Sequence, residues 1–456
     1  MPGLTVKSVC EACNGKLTGP QELYDEKLFS ITADSRKAST GSAFLAIKGA
    51  RVDGNSFIDE VYDKGAILCI SENPPKSEDK PYIQVENIYV AIKQIAKYYL
   101  SQLDIKVIGI TGSVGKTTTK EMVASVLSQR FNTLKTAGNF NNELGLPLTI
   151  YRLREEHEVA VLEMGISEFG EMDRLSDIDT PDACIITNVG HCHLENLKDR
   201  DGVLKAKTEI FNHMKDGGKI FLNGDDDKLA TVTGPENLSK PVFFGCDKNN
   251  EIYAENLELM GLKGSKATIH TPKGDINVHI HVPGEHLIYA ALAATTAGLS
   301  LGLTLEEIEK GISEFKTISG RNNIIDTGHM QIIDDCYNAN PMSVKSGIDT
   351  LVSDINRRVA ILGDMKELGT DEEKLHYETG EYVASKNVNQ LITVGPLAAK
   401  LHEGCVSAGG VNSVHFDTIE ECIENLPKYV KQGDTVLVKA SHSMGFSKIV
   451  DVLEEM

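Results

Sequence analysis

The sequence predicts an α/β protein built from three domains. Its 456 residues exceed what one hydrophobic core serves. Between Ile105 and Arg130 an apolar strand-like run, a glycine turn and a helix-compatible run follow one another. Two later stretches alternate short apolar runs with helical ones, the pattern of parallel sheets crossed by helices. A composition of 41% hydrophobic and 25% charged residues is that of a globular chain, not a disordered one. The formal charge of −20 excludes a broad nucleic-acid-binding surface, which needs a basic footprint. Local Lys and Arg remain free to face an anionic ligand.

In chain order, Met1–Cys10 lacks the apolar core of a signal peptide. Ser42–Ile47, Ala66–Ile70 and Tyr82–Val85 read as strands, Asn73-Pro74-Pro75 as a loop, and Asn87–Gln102 as a helix closing the first domain near Leu103. Val159–Glu163, Cys184–Asn188 and Lys219–Asn223 read as buried parallel strands of a second domain. Leu257–Val282 alternates polar and apolar residues and reads as β-rich, and a helix is expected over His286–Leu301. The next boundary falls near Ser319-Gly320, which gives domains 1–103, 104–318 and 319–456. Strands at Gln331–Asp334, Val359–Gly363, Gln390–Val394 and Thr435–Lys439 follow, each ending in polar residues or glycine, as at the carboxyl edge of an open sheet. The most apolar long run, Ala290–Leu305, is short for a bilayer, so a cytoplasmic protein without membrane insertion is expected. The nine cysteines are scattered, and Cys10-x-x-Cys13 has no second pair to complete a metal site.

The segment GSVGKTTT, Gly112–Thr119, carries the chemistry. Strand, glycine turn and helix are the setting of a phosphate-binding loop. Backbone N–H groups of Gly112, Ser113, Val114, Gly115 and Thr118 can approach phosphates. Lys116 supplies charge to the β and γ oxygens, and the Thr117 hydroxyl is placed to ligate Mg²⁺. Glu163 ends a central strand, where a carboxylate holds the metal of a bound nucleotide; the bland alternative is a solvated strand-end Glu. Asn188, His191, His193 and Glu195 follow the next strand, and His193 is a candidate ligand for a second divalent ion. Zinc bound by His191, Cys192 and His193 is the weaker alternative, since consecutive residues rarely converge on one ion. Lys205 and Lys207, taken alone, read as surface charges opening a helix.

Together these residues resemble the Mur ligase family of ATP-dependent amide-forming enzymes of peptidoglycan precursor synthesis. The matching elements are TGSVGKTTTKEM (Thr111–Met122), GNFNNELGLP (Gly138–Pro147), LEMG (Leu162–Gly165), TNVGHCHLE (Thr187–Glu195), KAKTEIF (Lys205–Phe211) and Gly320-Arg321. DDCYNANP (Asp334–Pro341) and LGDMKELG (Leu362–Gly369) are similar to the branch that adds D-alanyl-D-alanine to UDP-N-acetylmuramoyl-tripeptide, and TADSRKASTGSAFLAIKGARVDGNSFI (Thr32–Ile58) to its UDP-sugar-binding domain. The resemblance covers essentially the whole chain. It implies a small N-terminal α/β UDP-binding domain, a central P-loop ATPase domain with a parallel sheet, and a C-terminal Rossmann-like α/β domain, in a monomer using ATP and two Mg²⁺.

The resemblance also implies roles. Lys116 and Thr117 hold the ATP phosphates and the first Mg²⁺, with Glu163 on that ion and His193 on the second. Lys207 matches the lysine that family members carbamylate, which turns a cation into a metal-binding anion. Asn139 matches a residue near ATP and the substrate carboxylate. Arg321 contacts phosphate and Asp335 the ribose, with Asn338 and Asn340 on the same loop; Ser35 and Arg36 hold the UDP moiety, and Lys439 lies at the substrate. Two departures stand out. The family's Gly-x-His-Asn-x-x-Asn is Gly284-Glu285-His286-Leu287-Ile288-Tyr289-Ala290, with both Asn positions apolar, and its Lys-(Gly/Ala)-Ser-Arg is Lys439-Ala440-Ser441-His442. Competing readings are a GTPase, whose Asn-Lys-x-Asp is missing; a folylpolyglutamate-synthase-like ligase, disfavoured by Asp34-Ser35-Arg36; and a degenerate binder without activity, supported only by Leu287 and Ala290.

Overall fold

The computed structural model describes residues 1–49, 52–74, 76 and 79–456. Ala50 and Arg51 of the Thr32–Ile58 segment, and Pro75 of the expected loop, lie outside the described residues. Three α/β units follow one another, each around one mostly parallel sheet.

The first sheet runs Lys16–Thr18, Tyr82–Gln84, Leu68–Ser71, Ser42–Leu45, Ser30–Thr32, parallel except for its first strand. The two outer strands, with at most one buried residue each, escape sequence reading because no apolar run marks them. The expected helix spans Ile88–Ser101. Asn87 caps it by accepting from the N–H groups of Tyr89 and Val90 at 2.9 and 3.1 Å. Its apolar face enters a core cluster that extends into the second unit. Two tyrosines seal that joint: Tyr99 donates to Leu153 O at 2.6 Å and Tyr151 to Ile92 O at 2.7 Å.

The central sheet has nine strands, Gly274–Ile280, Ser265–Thr271, Ile252–Leu259, Val242–Gly245, Lys219–Asn223, Ala183–Ile186, Lys106–Thr111, Val159–Glu163 and Thr133–Lys135. Seven are parallel; the β-rich stretch supplies the two antiparallel ones at the far edge. The strand before the glycine turn is flanked by Val159–Glu163 on one side and Ala183–Ile186 on the other. The chain therefore crosses to opposite sides of this strand, which opens a crevice at its carboxyl end. The following helix, Lys116–Leu127, stops one turn short of the expected Arg130.

The third sheet is ordered Asn323–Asp326, Gln331–Asp334, Asp434–Lys439, Arg357–Gly363, Gln390–Val394, Asn412–Phe416, with only the first strand antiparallel. Apolar clusters cover both faces, as in a doubly wound sheet. Among the described residues no helix is long and apolar enough to cross a membrane.

Candidate active site

The glycine turn is built by its neighbours. A Cβ on Gly112 would collide with the Thr187 hydroxyl, and Gly115 takes a left-handed φ of 79° to turn the chain into its helix. Asn188 braces the loop: its carbonyl accepts from Ser113 N at 3.0 Å, its Oδ1 from Val114 N at 2.9 Å, and its Nδ2 donates to Val114 O at 3.0 Å. Thr187 donates to the same carbonyl at 2.6 Å, and Gly190 N donates to Ser113 Oγ at 2.9 Å. Lys116 folds back over the turn, with Nζ 2.8 Å from Gly112 O and 3.4 Å from Ser113 O. Burial holds its pKa down, and Glu163 opposes that shift.

Thr117 and Glu163 meet. The Thr117 hydroxyl donates to Glu163 Oε1 at 3.1 Å, and Asn141 Nδ2 donates to the same oxygen at 2.9 Å. The other carboxylate oxygen is buried and has no hydrogen-bond partner among the described residues. Behind it lies the ammonium of Lys120, 3.9 Å away and completely buried, which donates to Thr136 O at 2.8 Å and pairs with Glu121 at 2.9 Å. A hydroxyl and a carboxylate with one oxygen to spare, beside a phosphate loop, form the hard-oxygen donor set that suits Mg²⁺. No three His, Cys, Asp or Glu side chains converge among the described residues. A divalent ion here would complete its shell from nucleotide oxygens and water, as Mg²⁺ commonly does.

His193 sits at a left-handed φ of 51°, and its Nδ1 lies 3.1 Å from Glu367 Oε2 of the third unit. Its pKa is lowered, first by burial and then by Lys116 and Lys207, against the pull of Glu367. The three residues considered for zinc diverge: His191 is exposed, while the Cys192 thiol approaches Ser113 Oγ at 3.1 Å. Lys207 corrects the surface-charge reading. Lys205 and Lys207 lie in the last turn of Arg200–Thr208, not its first. Lys205 is exposed, but Lys207 is 1% exposed, and burial draws its amine down to about 8, with Lys116 adding to the shift.

The third unit contributes one braced cluster. Lys439, 2% exposed, pairs with Asp335 Oδ2 at 2.6 Å and donates to Asn338 O at 2.9 Å. Asn322 N donates to Asp335 Oδ1 at 3.1 Å. Asn340 is occupied in capping helix Pro341–Val352, accepting from Ser343 N at 2.9 Å. Arg321 stacks its guanidinium on Tyr337, 3.8 Å from the ring centroid, and its charge is felt at Lys116.

Not every expected residue joins this group. Ser35 and Arg36 lie in the first unit. Arg36 is mostly exposed and forks onto Asp34 at 2.9 and 2.8 Å, which draws that carboxyl down to about 2. Asn139 is exposed, and its carbonyl accepts from Asn141 N at 2.7 Å. Leu287 and Ala290 are buried in the central core and serve packing. Sequence reasoning missed Asn141, Lys120, Tyr337 and the bracing role of Asn188. Asn141 and Lys120 stand inside the quoted motifs, but only the fold shows them turned toward Glu163.

Comparison with known proteins agrees with this geometry. The chain matches the Mur ligase middle domain over residues 110–298, the Mur ligase glutamate ligase domain over 320–442, and the Mur ligase family catalytic domain over 28–101. It is 35% identical to the UDP-N-acetylmuramoyl-tripeptide--D-alanyl-D-alanine ligase of Bacillus subtilis (strain 168), covering 99% of this chain and 98% of that protein. The crystal structure of MurF from Acinetobacter baumannii superposes with a TM-score of 0.89 at 33% identity, covering 99% of each chain. MurF ligase from Thermotoga maritima in complex with ADP superposes with a TM-score of 0.83 at 29% identity, covering 93% of this chain and 97% of that one.

Proposed function

The chain belongs to the Mur ligase family, and from that premise we propose that it joins D-alanyl-D-alanine to UDP-N-acetylmuramoyl-tripeptide, consuming ATP and releasing ADP and phosphate. The observation that carries the reading is the meeting of Thr117 with Glu163 at the mouth of the phosphate loop, beside Lys116 and the buried Lys207.

A carboxylate is a poor acyl donor because its leaving group would be oxide. Transfer of the γ-phosphoryl group onto the tripeptide carboxylate makes an acyl phosphate, whose leaving group is phosphate. The amine of D-alanyl-D-alanine attacks that carbonyl, and the tetrahedral oxyanion collapses to the amide. The residues' task is to hold two anions, γ-phosphate and carboxylate, in contact. The N–H groups from Gly112 to Thr118 and the ammonium of Lys116 cradle the phosphates. Arg321 reaches them from the third unit. Thr117 and Glu163 hold the first Mg²⁺, and His193 and Lys207 a second, with Lys207 acting as a carbamate. Bound Mg²⁺ offsets the charge gathering between the anions. A buried amine held near 8 keeps roughly a fifth of its population neutral at physiological pH, far more than an exposed lysine does, and the neutral form is the one that adds carbon dioxide. Positioning contributes up to about 7–11 kcal/mol when the reacting atoms are well aligned. Ser35 and Arg36 hold the UDP end, Asn139 lies near the reacting carboxylate, and Asp335, Asn338, Asn340 and Lys439 serve the ribose and the incoming dipeptide. With Leu287 and Ala290 in the core, adenine is held by backbone groups or stacking. Domains 1–103, 104–318 and 319–456 divide the three ligands among them, in a cytoplasmic monomer.

The test is phosphate release from ATP and Mg²⁺ with both substrates, each omitted in turn, and the product mass measured. Release needing both substrates and yielding the UDP-muramoyl-pentapeptide is expected. Lys116→Ala is expected to lower turnover by roughly 100- to 1,000-fold or more. Substrate binding without release, or near-normal turnover of that variant, would refute the assignment.

A further inference from the structure

The reach of Arg321 into the crevice rests on an arrangement that hydrogen bonds do not explain. Among the described residues its buried Nε has no hydrogen-bond partner. The guanidinium is instead held by its face, with Cζ 3.8 Å from the centroid of the Tyr337 ring. That ring in turn packs against the His442 imidazole, at 5.1 Å between centroids and tilted by 39°. The backbone beneath is locked. Gly320, at a left-handed φ of 77°, accepts from Tyr337 N at 3.1 Å and donates to Asp334 Oδ2 at 2.7 Å. A Cβ on Gly320 would stand 3.3 Å from Tyr337 Cβ, so the residue before Arg321 lies directly against Tyr337. Gly320-Arg321 and Asp334–Tyr337 are therefore one unit, although they are separated in sequence.

We propose that Tyr337 is a positioning residue for the ligase reaction: its ring, backed by His442, presents the Arg321 guanidinium to the γ-phosphate. A guanidinium stacked through its π-face keeps its edge N–H donors free for planar contacts with an anion. Side-chain hydrogen bonds would have consumed those donors. His442, which stands where relatives carry Arg, then takes a packing role and not a charge role. A second cation in its place would compete for the same ring. The inference rests on the proposed contact of Arg321 with phosphate.

Affinity for Mg²⁺ with the β,γ-imido analogue of ATP, set against Mg²⁺ with ADP, tests this by calorimetry on the full chain. The variants are Arg321→Ala, Tyr337→Leu, Tyr337→Phe and the double variant Arg321→Ala/Tyr337→Leu. Arg321→Ala and Tyr337→Leu should each weaken the analogue by roughly 2- to 30-fold, the span of a cation–π contact from exposed to desolvated. ADP affinity should stay within about twofold, which also reports that the fold is intact. Tyr337→Phe should match the wild type, and the double variant should be no weaker than Arg321→Ala alone. A selective loss in Arg321→Ala without one in Tyr337→Leu overturns the positioning role and leaves the phosphate contact standing. Equal loss of both ligands in Tyr337→Leu, or a Phe variant as weak as Leu, also overturns it. No selective loss in Arg321→Ala refutes the phosphate contact, and the inference falls with it.

Discussion

Lys207 is where burial matters most at the scale of a single residue. An almost completely buried ammonium, placed near Lys116, has its charged form disfavoured twice, by desolvation and by like charge. The sign of the pH effect follows. The amine is protonated below about 8 and becomes neutral as pH rises through that value, far below the range of an exposed lysine. Enzyme stripped of carbon dioxide should regain activity, at a fixed concentration of dissolved carbon dioxide, at a rate that climbs with pH through about 8 and then levels. A rate still climbing steeply at pH 10 would contradict it. Lys207→Ala should lose activity and regain part of it with added short carboxylates, which supply the missing anion; an unaffected variant would refute the carbamate role. Taken apart from the family resemblance, which gives it the carbamate role, the sequence leaves this lysine among the surface charges. Burial depends on which face of Arg200–Thr208 meets the sheet, and a nine-residue helix with Val203 and Ala206 as its other buried members carries a faint signal.

Local elements were the most legible part of the chain. Val159–Glu163, Lys219–Asn223, Gln331–Asp334 and Gln390–Val394 have the limits expected of them, because continuous β-branched and aliphatic runs between polar residues mark a strand buried on both faces. Asn412–Phe416 was illegible for the converse reason: an edge strand half open to water does not need an apolar run. The site divides likewise. Contacts local to a motif, such as the glycine turn and its helix, were readable. Lys120 comes behind Glu163 only when its helix packs on the distant strand Val159–Glu163, and Tyr337 comes under Arg321 only when Asn323–Asp326 pairs with Gln331–Asp334. The turn makes a sharp prediction of its own. Gly112→Ala places a methyl group against Thr187, the residue that fastens Val114, so the loop must shift as a whole. Calorimetry should show Mg²⁺-ADP binding weakened at least about tenfold with circular dichroism unchanged, since the displaced N–H groups carry the phosphate contacts. Unaltered binding would mean that the loop is not the nucleotide site.

Across the whole molecule, the three units are joined unequally. The first and second share a continuous apolar core, sealed by Tyr99 and Tyr151. The second and third meet through scattered contacts: His193 with Glu367, His286 Nδ1 with Ser346 Oγ at 3.0 Å, Met342 packed near Gly190, and Leu262 against an apolar cluster of the third. Glu367 remains mostly exposed at that joint. A seam of this kind is suited to opening and closing. Solution scattering should show the radius of gyration falling when Mg²⁺, the β,γ-imido analogue and the UDP-tripeptide are added together, and an unchanged radius would count against closure. Chemistry at that seam is the central claim, and isotope transfer tests it most directly. UDP-N-acetylmuramoyl-tripeptide labelled with ¹⁸O in its terminal carboxylate should pass one labelled oxygen to the phosphate released on ligation, because that oxygen leaves with the phosphoryl group. Phosphate released with the pentapeptide but free of label would contradict an acyl phosphate, and with it the assignment of these residues to joining γ-phosphate and carboxylate.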